Sequence, residues 1–214
     1  MPAHTYGVLI ADVVASSSTP NLRALLGKKL TLVSNRHLKK QLIDLPYSVT
    51  AGDEFQTVTG SLHSIPSIIL DLRIKLRPLA VRIGIGFGTV SDRIKAPVNR
   101  LSGEAFQNAR KAIETLDTHS RVKFEVLTAF KSPDEDFNET VNLIYGLHDT
   151  LVLKIKPKQW QAIEEFMEKA TLEKTARELS LDTSTISRHL KRGYYWQLVE
   201  TARVAGSFIQ RSFS

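Results

Sequence analysis

Asp12 interrupts an otherwise apolar stretch and is the first residue of this chain whose position asks for a chemical reason. Tyr6 to Val14 (YGVLIADVV) has the pattern of a strand buried on both faces, with that aspartate near its C-terminal end. Some 40 residues later, Ala51-Gly52-Asp53-Glu54 forms a turn signal between two short strand-like runs, Tyr47 to Thr50 and Phe55 to Thr59, and so predicts a hairpin. If the hairpin lies beside the first strand, the carboxylates of Asp12 and Asp53 converge at one sheet edge. Two carboxylates about 4 Å apart repel by roughly 4 kcal/mol at an effective dielectric near 20. A divalent ion reverses that sign, and hard oxygen donors select Mg²⁺ or Mn²⁺. In the plainer alternative, Asp12 caps the next helix and Asp53 is an ordinary turn residue. Spacing alone leaves both open.

The elements that must position these groups follow from periodicity. Thr19 and Pro20 read as an N-cap and first helical residue, and Leu22, Leu25, Leu26, Leu30, Val33, Leu38 and Leu42 extend an amphipathic helix to about Leu45. After Gly60, Leu62 to Leu76 is a second helix ending before Pro78. Leu79 to Val90 (LAVRIGIGFGTV) is a core strand whose alternating glycines predict close backbone packing. Gly103 to Leu116 is a third helix and Val122 to Thr128 another strand. The order β-α-β-β-α-β-α-β predicts a sheet covered by helices. Lys131 to Glu139 (KSPDEDFNE), polar, acidic and broken by proline, reads as a loop or linker. Beyond it Gln159 to Lys169 is a helix with Trp160, Ile163, Phe166 and Met167 on its apolar face. A second runs from the N-cap Thr171 to Leu179, Ser180-Leu181-Asp182 turns the chain, and Thr183 to Arg192 is a third with Ile186 and Leu190 inward. Tyr194 to Phe213 repeats apolar residues at helical spacing, so a last helix could cap this small domain or dimerise it.

Composition bounds what these elements can do. The 214 residues are 42% hydrophobic and 24% charged, which suits one larger and one smaller folded domain. With no cysteine, thiolate metal sites, disulfides and cysteine nucleophiles are excluded. No apolar run approaches the roughly 20 residues that span a bilayer, and the N-terminus lacks the pattern of a targeting segment, so a cytoplasmic location without membrane contact is expected. The net charge of +7 favours anionic partners.

Ile10-Ala11-Asp12-Val13-Val14 followed by Ala51-Gly52-Asp53-Glu54-Phe55 resembles the two metal-binding segments in the palm of GGDEF diguanylate cyclases and class III nucleotide cyclases; AGDEF differs from GGDEF at one residue. Gly84-Ile85-Gly86 and Gly103 to Lys111 (GEAFQNARK) are similar to the following strand and helix of both families, so the resemblance covers about 120 residues in matching order. It implies a palm-like, ferredoxin-type α/β sheet. Metal ligands would be Asp12, the carbonyl of Val13 and Asp53, with Glu54 accessory. Phosphates would sit on Ser16, Ser17 and Ser18, unless these are only a polar turn. Nucleotide contacts would come from Gln107, Asn108, Arg110 and Lys111. Class III cyclases carry asparagine and arginine where Gln107 and Lys111 stand, or Asn108 if the register slips by one, and GGDEF domains carry lysine at the place of Arg110. These departures favour nucleotide binding over turnover.

Ala176 to Leu190 (ARELSLDTSTISRHL) resembles the helix-turn-helix of the LuxR and sigma region 4 type. Ala176 supplies the small residue at the helix crossing, Leu181 and Ile186 would plug the core, and serine replaces the usual turn glycine at Ser180. Thr183, Ser184, Ser187, Arg188, Lys191 and Arg192 would face double-stranded DNA, while His189 reads as a surface or core-edge residue. A helical hairpin packed on the palm is the alternative. The combination of palm and helix-turn-helix also looks like the SatD family. The expected organisation is a palm over 1–130, a linker over 131–157 and a small all-α domain over 158–214. The expected function is a transcriptional regulator, a homodimer, whose palm binds a nucleotide with Mg²⁺ or Mn²⁺. The rival is an active nucleotide cyclase or nucleotidyltransferase with an accessory helix-turn-helix.

Overall fold

The computed structural model describes residues 4–213 except 15, 19, 51, 92–96 and 117–125. Its elements are β1 (Tyr6–Val13), α1 (Leu22–Lys39), β2 (Ser48–Val49), β3 (Phe55–Thr59), α2 (Ile65–Lys75), β4 (Val81–Gly88), α3 (Glu104–Thr115), β5 (Thr128–Lys131), α4 (Glu135–Lys154), α5 (Pro157–Lys169), α6 (Leu172–Leu179), α7 (Thr183–Arg192) and α8 (Tyr195–Ser212). The strands form one mixed sheet in the order β2-β3-β1-β4-β5, antiparallel except for the β4–β5 pair. The first four strands follow the ferredoxin-type β-α-β-β-α-β arrangement.

β1 is central and buried on both faces, which explains its unbroken apolar sequence. One face presents Leu9, Ala11, Ile83, Ile85 and Phe87 to a large core completed by α1, α2, α4 and α8. The other presents Val8, Ile10 and Val58 to Ala105, Ala109 and Ile113 of α3. The glycines of β4 set how closely α3 approaches. A Cβ at Gly86 would lie 2.0 Å from the Ala109 nitrogen, and one at Gly84 would lie 2.6 Å from the Ile113 nitrogen. No side chain fits there.

Several boundaries differ from the sequence reading. α1 stops at Lys39 rather than near Leu45. Gln41 adopts a left-handed conformation (φ 54°), and its N–H and that of Leu42 close onto the carbonyls of Leu38 and His37 at 3.0 and 2.9 Å. The expected cap at Thr19 lies outside the described residues, and Asn21, also left-handed, precedes the helix. The last strand begins at Thr128, where the expected one ended; most of Val122–Thr128 lies outside the described residues.

The largest correction concerns 131–157. Instead of a linker it holds the end of β5 and the 20-residue α4. Asp134 caps that helix by accepting from the Phe137 N–H at 3.1 Å, and Glu135 and Asp136 place negative charge in its first turn. Phe137, Val141 and Tyr145 then enter the main core. Behind α4, Asp149 accepts from Arg73 (2.8 Å) and from the Leu127 N–H (2.8 Å), tying α2, α4 and the start of β5 together through a buried ion pair. Burial alone would raise the Asp149 carboxyl, but Arg73, His148 and the backbone N–H hold it below its ordinary value.

Helices α5, α6 and α7 surround a second core of Trp160, Ala162, Ile163, Ala176, Ile186 and Leu190. α8 runs on from α7 and serves both cores: Leu198 and Ala202 pack in the second, Ala205 and Ile209 in the first. Gly206 faces the backbone of His63, whose carbonyl oxygen would stand 2.4 Å from a Cβ.

Candidate functional site

The antiparallel registers place Asp12 opposite Arg82 on β4, and Ala11 opposite Phe55, so Glu54 lies next to Asp12 on the other flank. All three are on the sheet face covered by α3. Arg82 donates to Asp12 twice, Nε to Oδ1 at 2.9 Å and its terminal nitrogen to Oδ2 at 2.7 Å. From α3, Arg110 grips Glu54 in the same two-pronged way, at 2.5 and 2.8 Å. Glu54 also accepts from the Thr50 hydroxyl at 2.7 Å. The Arg110 hydrogen bonds, chiefly, hold the Glu54 carboxyl below its ordinary range, and Glu54 in return raises Arg110. Asp12 lies close enough to Arg110 to add to that rise.

Asp12 and Glu54 therefore lie together at this edge, and each is matched by a guanidinium from the chain itself. This bears directly on a divalent ion. Both oxygens of Asp12 and both of Glu54 are committed to arginine, and no cluster of three or more His, Asp or Glu side chains exists among the described residues. Asp53 is half-buried at the hairpin turn and makes no hydrogen bond or ion pair among the described residues. Val13 is buried and paired in register with Val81. As arranged, the donor set does not fit Mg²⁺ or Mn²⁺.

The remaining expected ligands are dispersed. Ser16–Ser18 form a short 3-10 turn, separated from the start of α1 by Pro20 and the left-handed Asn21, so the serines do not sit at a helix N-terminus. Gln107 and Lys111 are exposed on α3. Asn108 is buried, and its amide donates to the Phe87 carbonyl at 2.8 Å, which makes it a clamp between α3 and β4 rather than a ligand group. The sequence reading missed Arg82. Its signal was present as the single charge inside the apolar run LAVRIGIGFG.

In the C-terminal part, Thr171 caps α6 by accepting from the Lys174 N–H at 3.3 Å, as the sequence predicted. Ser180 takes the left-handed conformation (φ 52°, ψ 46°), which lets the Leu181 N–H reach back to the Ala176 carbonyl at 2.9 Å. The Leu181 side chain is 43% exposed, so it does not plug the core as expected. α7 is sharply two-sided. Ile186 and Leu190 are fully buried, whereas Thr183, Ser184, Ser187, Arg188, Lys191 and Arg192 are all exposed. Arg188 donates to the Thr185 hydroxyl at 2.9 Å. His189 is half-buried at the edge of the core.

Ion pairs join the two parts. Arg36 reaches Glu168 (2.8 Å) and Asp71 (3.3 Å), and Lys75 reaches Glu168 (2.8 Å) and Glu164 (3.2 Å). Asp71 continues inward to the buried His37, whose other ring nitrogen meets the Tyr47 hydroxyl at 2.9 Å. Burial drives the Tyr47 hydroxyl well above its ordinary range. This relay is internal and links α1, α2 and the approach to the hairpin.

No described helix is long and apolar enough to cross a membrane. No curated protein matches the chain. Among solved structures it is similar to a bacterial light-regulated adenylyl cyclase, at 16% identity over 61% of this chain and 77% of that one, with a TM-score of 0.40. A second structure of such a cyclase aligns at 15% identity over 59% of this chain and 42% of that one, with a TM-score of 0.39. A regulator of polyketide synthase expression from Bifidobacterium adolescentis aligns at 13% identity over 95% and 86%, with a TM-score of 0.29. The family model described as SatD family matches residues 6–205.

Proposed function

The chain belongs to the SatD family, and from that premise we propose that it is a DNA-binding transcriptional regulator in which α6 and α7 act as a helix-turn-helix. The two-sidedness of α7 carries this reading. Its apolar side is fully used in anchoring the helix, and the opposite side offers Thr183, Ser184, Ser187, Arg188, Lys191 and Arg192 to solvent. That set mixes hydroxyls and guanidinium groups that read base edges with cations that neutralise phosphates. Ala176 is buried beside α7, and the left-handed Ser180 makes the turn between the helices short, both of which the motif requires. The net charge of +7 supports the same partner.

In this reading the sheet domain is the mount and regulatory partner of the DNA-binding part, connected through α8 and the Arg36 and Lys75 ion pairs. Metal-dependent nucleotide binding or cyclisation is disfavoured by Arg82 and Arg110, which a divalent ion would have to displace. Fluorescence anisotropy with fragments of genomic DNA tests the proposal. The parent should bind below micromolar concentration at low salt. Arg188→Ala and Lys191→Ala should weaken binding with unchanged melting temperature, and losing a phosphate contact at Lys191 should flatten the log–log salt dependence by about 0.9. A parent that shows no binding at low salt overturns the reading.

A further inference from the structure

α4 packs one face against β5 and α8, and among the described residues nothing covers the opposite face. The exposed stripe runs Asp136, Glu139, Thr140, Leu143, Leu147, Lys154, with the half-buried Thr150 and Leu151 on the same side. Leu143 and Leu147 are 61% and 60% exposed, among the most exposed large apolar side chains described. Steps of three and four residues keep the stripe on one line along the helix.

Apart from Glu139, which lies on the same face opposite the half-buried Leu151, its chemistry is symmetric about the middle of the helix. Two leucines lie at the centre. A threonine stands one turn outward on each side, at Thr140 and Thr150, and the ends carry opposite charges, Asp136 and Lys154. Neither charge has an ion pair among the described residues. When two copies of such a helix are laid antiparallel about a two-fold axis near Tyr145, Leu143 meets Leu147 of the other copy, Thr140 meets its Thr150, and Asp136 meets its Lys154. Each contact then occurs twice, as an isologous interface demands. In a parallel pairing like charges would meet instead.

We propose that this face is the homodimer interface: a second copy of the chain docks on α4, antiparallel, through Leu143 and Leu147, with Asp136 and Lys154 setting direction and register. The expectation of a dimer thus moves from α8, whose Leu198, Ala202, Ala205 and Ile209 are spent within the chain and whose exposed Trp196, Val199 and Val204 have no such arrangement of charges about them, to α4. The inference does not rest on the DNA-binding reading.

Analytical ultracentrifugation of the full chain over a range of concentrations tests it. The parent should show a concentration-dependent dimer, and Leu143→Glu or Leu147→Glu should leave a folded monomer with unchanged circular dichroism, whose melting temperature no longer depends on concentration. Asp136→Lys and Lys154→Asp should each dissociate when alone, because like charges then face each other at both ends. Mixed in equal amounts, those two variants should form a heterodimer, since the contacts between positions 136 and 154 are complementary again. A parent that stays monomeric overturns the proposal and leaves the face to another partner. So does a dimer indifferent to Leu143→Glu, or a mixture that fails to associate when both single variants are folded.

Discussion

Asp12→Asn separates a self-neutralised ion pair from a carboxylate waiting for a metal. Asp12 and Arg82 share two hydrogen bonds at 2.9 and 2.7 Å, with side chains 19% and 28% exposed. Exposed ion pairs contribute about 0.2–1 kcal/mol, and breaking a buried one costs roughly 3–5 kcal/mol. An amide keeps one acceptor oxygen for the guanidinium, so the loss should be about 1–2 kcal/mol. For a chain of this size each kcal/mol moves the melting temperature by about 2–4 °C, giving a fall of about 2–8 °C. Melting and urea unfolding of the parent, Asp12→Asn, Arg82→Gln and the double variant would measure it. The double-mutant cycle should return most of the loss as coupling between the two residues. A bare carboxylate pair behaves in the opposite way: asparagine relieves repulsion, so the variant matches or exceeds the parent, and Mn²⁺ with GTP or ATP raises the melting temperature of the parent alone. Those two results together would refute the guanidinium account and restore the metal site.

Gly86→Ala should cost about 3 kcal/mol or more in urea unfolding, because its methyl would meet the α3 backbone rather than a side chain that can yield; a near-neutral alanine would show that α3 packs less closely. The lowered Glu54 carboxyl links stability to pH. A carboxyl depressed on folding stabilises fully above its unfolded value, near the ordinary 4.5, and that contribution disappears as pH falls through the folded value. The difference in unfolding free energy between the parent and Glu54→Gln should therefore be constant at neutral pH and shrink below about pH 4.5. A difference that persists unchanged into strong acid would show that Arg110 does not perturb Glu54.

What could be read from the sequence was what local chemistry determines. The Thr171 cap, the boundaries of α7, the buried Ile186 and Leu190 and the glycine-paved surface of β4 each depend on residues a few positions apart, and each appears where expected. The Asp12–Arg82 pair could not be read, because a strand register couples residues 70 positions apart and spacing carries no trace of it. The stop of α1 was missed because a glutamine, not a glycine, takes the left-handed position. The acids of KSPDEDFNE were legible but misread. An aspartate followed by two acids is a helix start as well as a polar loop, and the apolar residues that decide between them, Phe137 and Val141, come only after those three acids.

Because α8 lies C-terminal to every other described element and supplies side chains to both cores, it fixes the order in which this protein can mature during synthesis. The sheet can pair its strands as they emerge, and α5 to α7 can assemble around Trp160. Neither unit reaches its final packing until Leu198, Ala202, Ala205 and Ile209 have left the ribosome. Until then each presents an unfilled apolar seam.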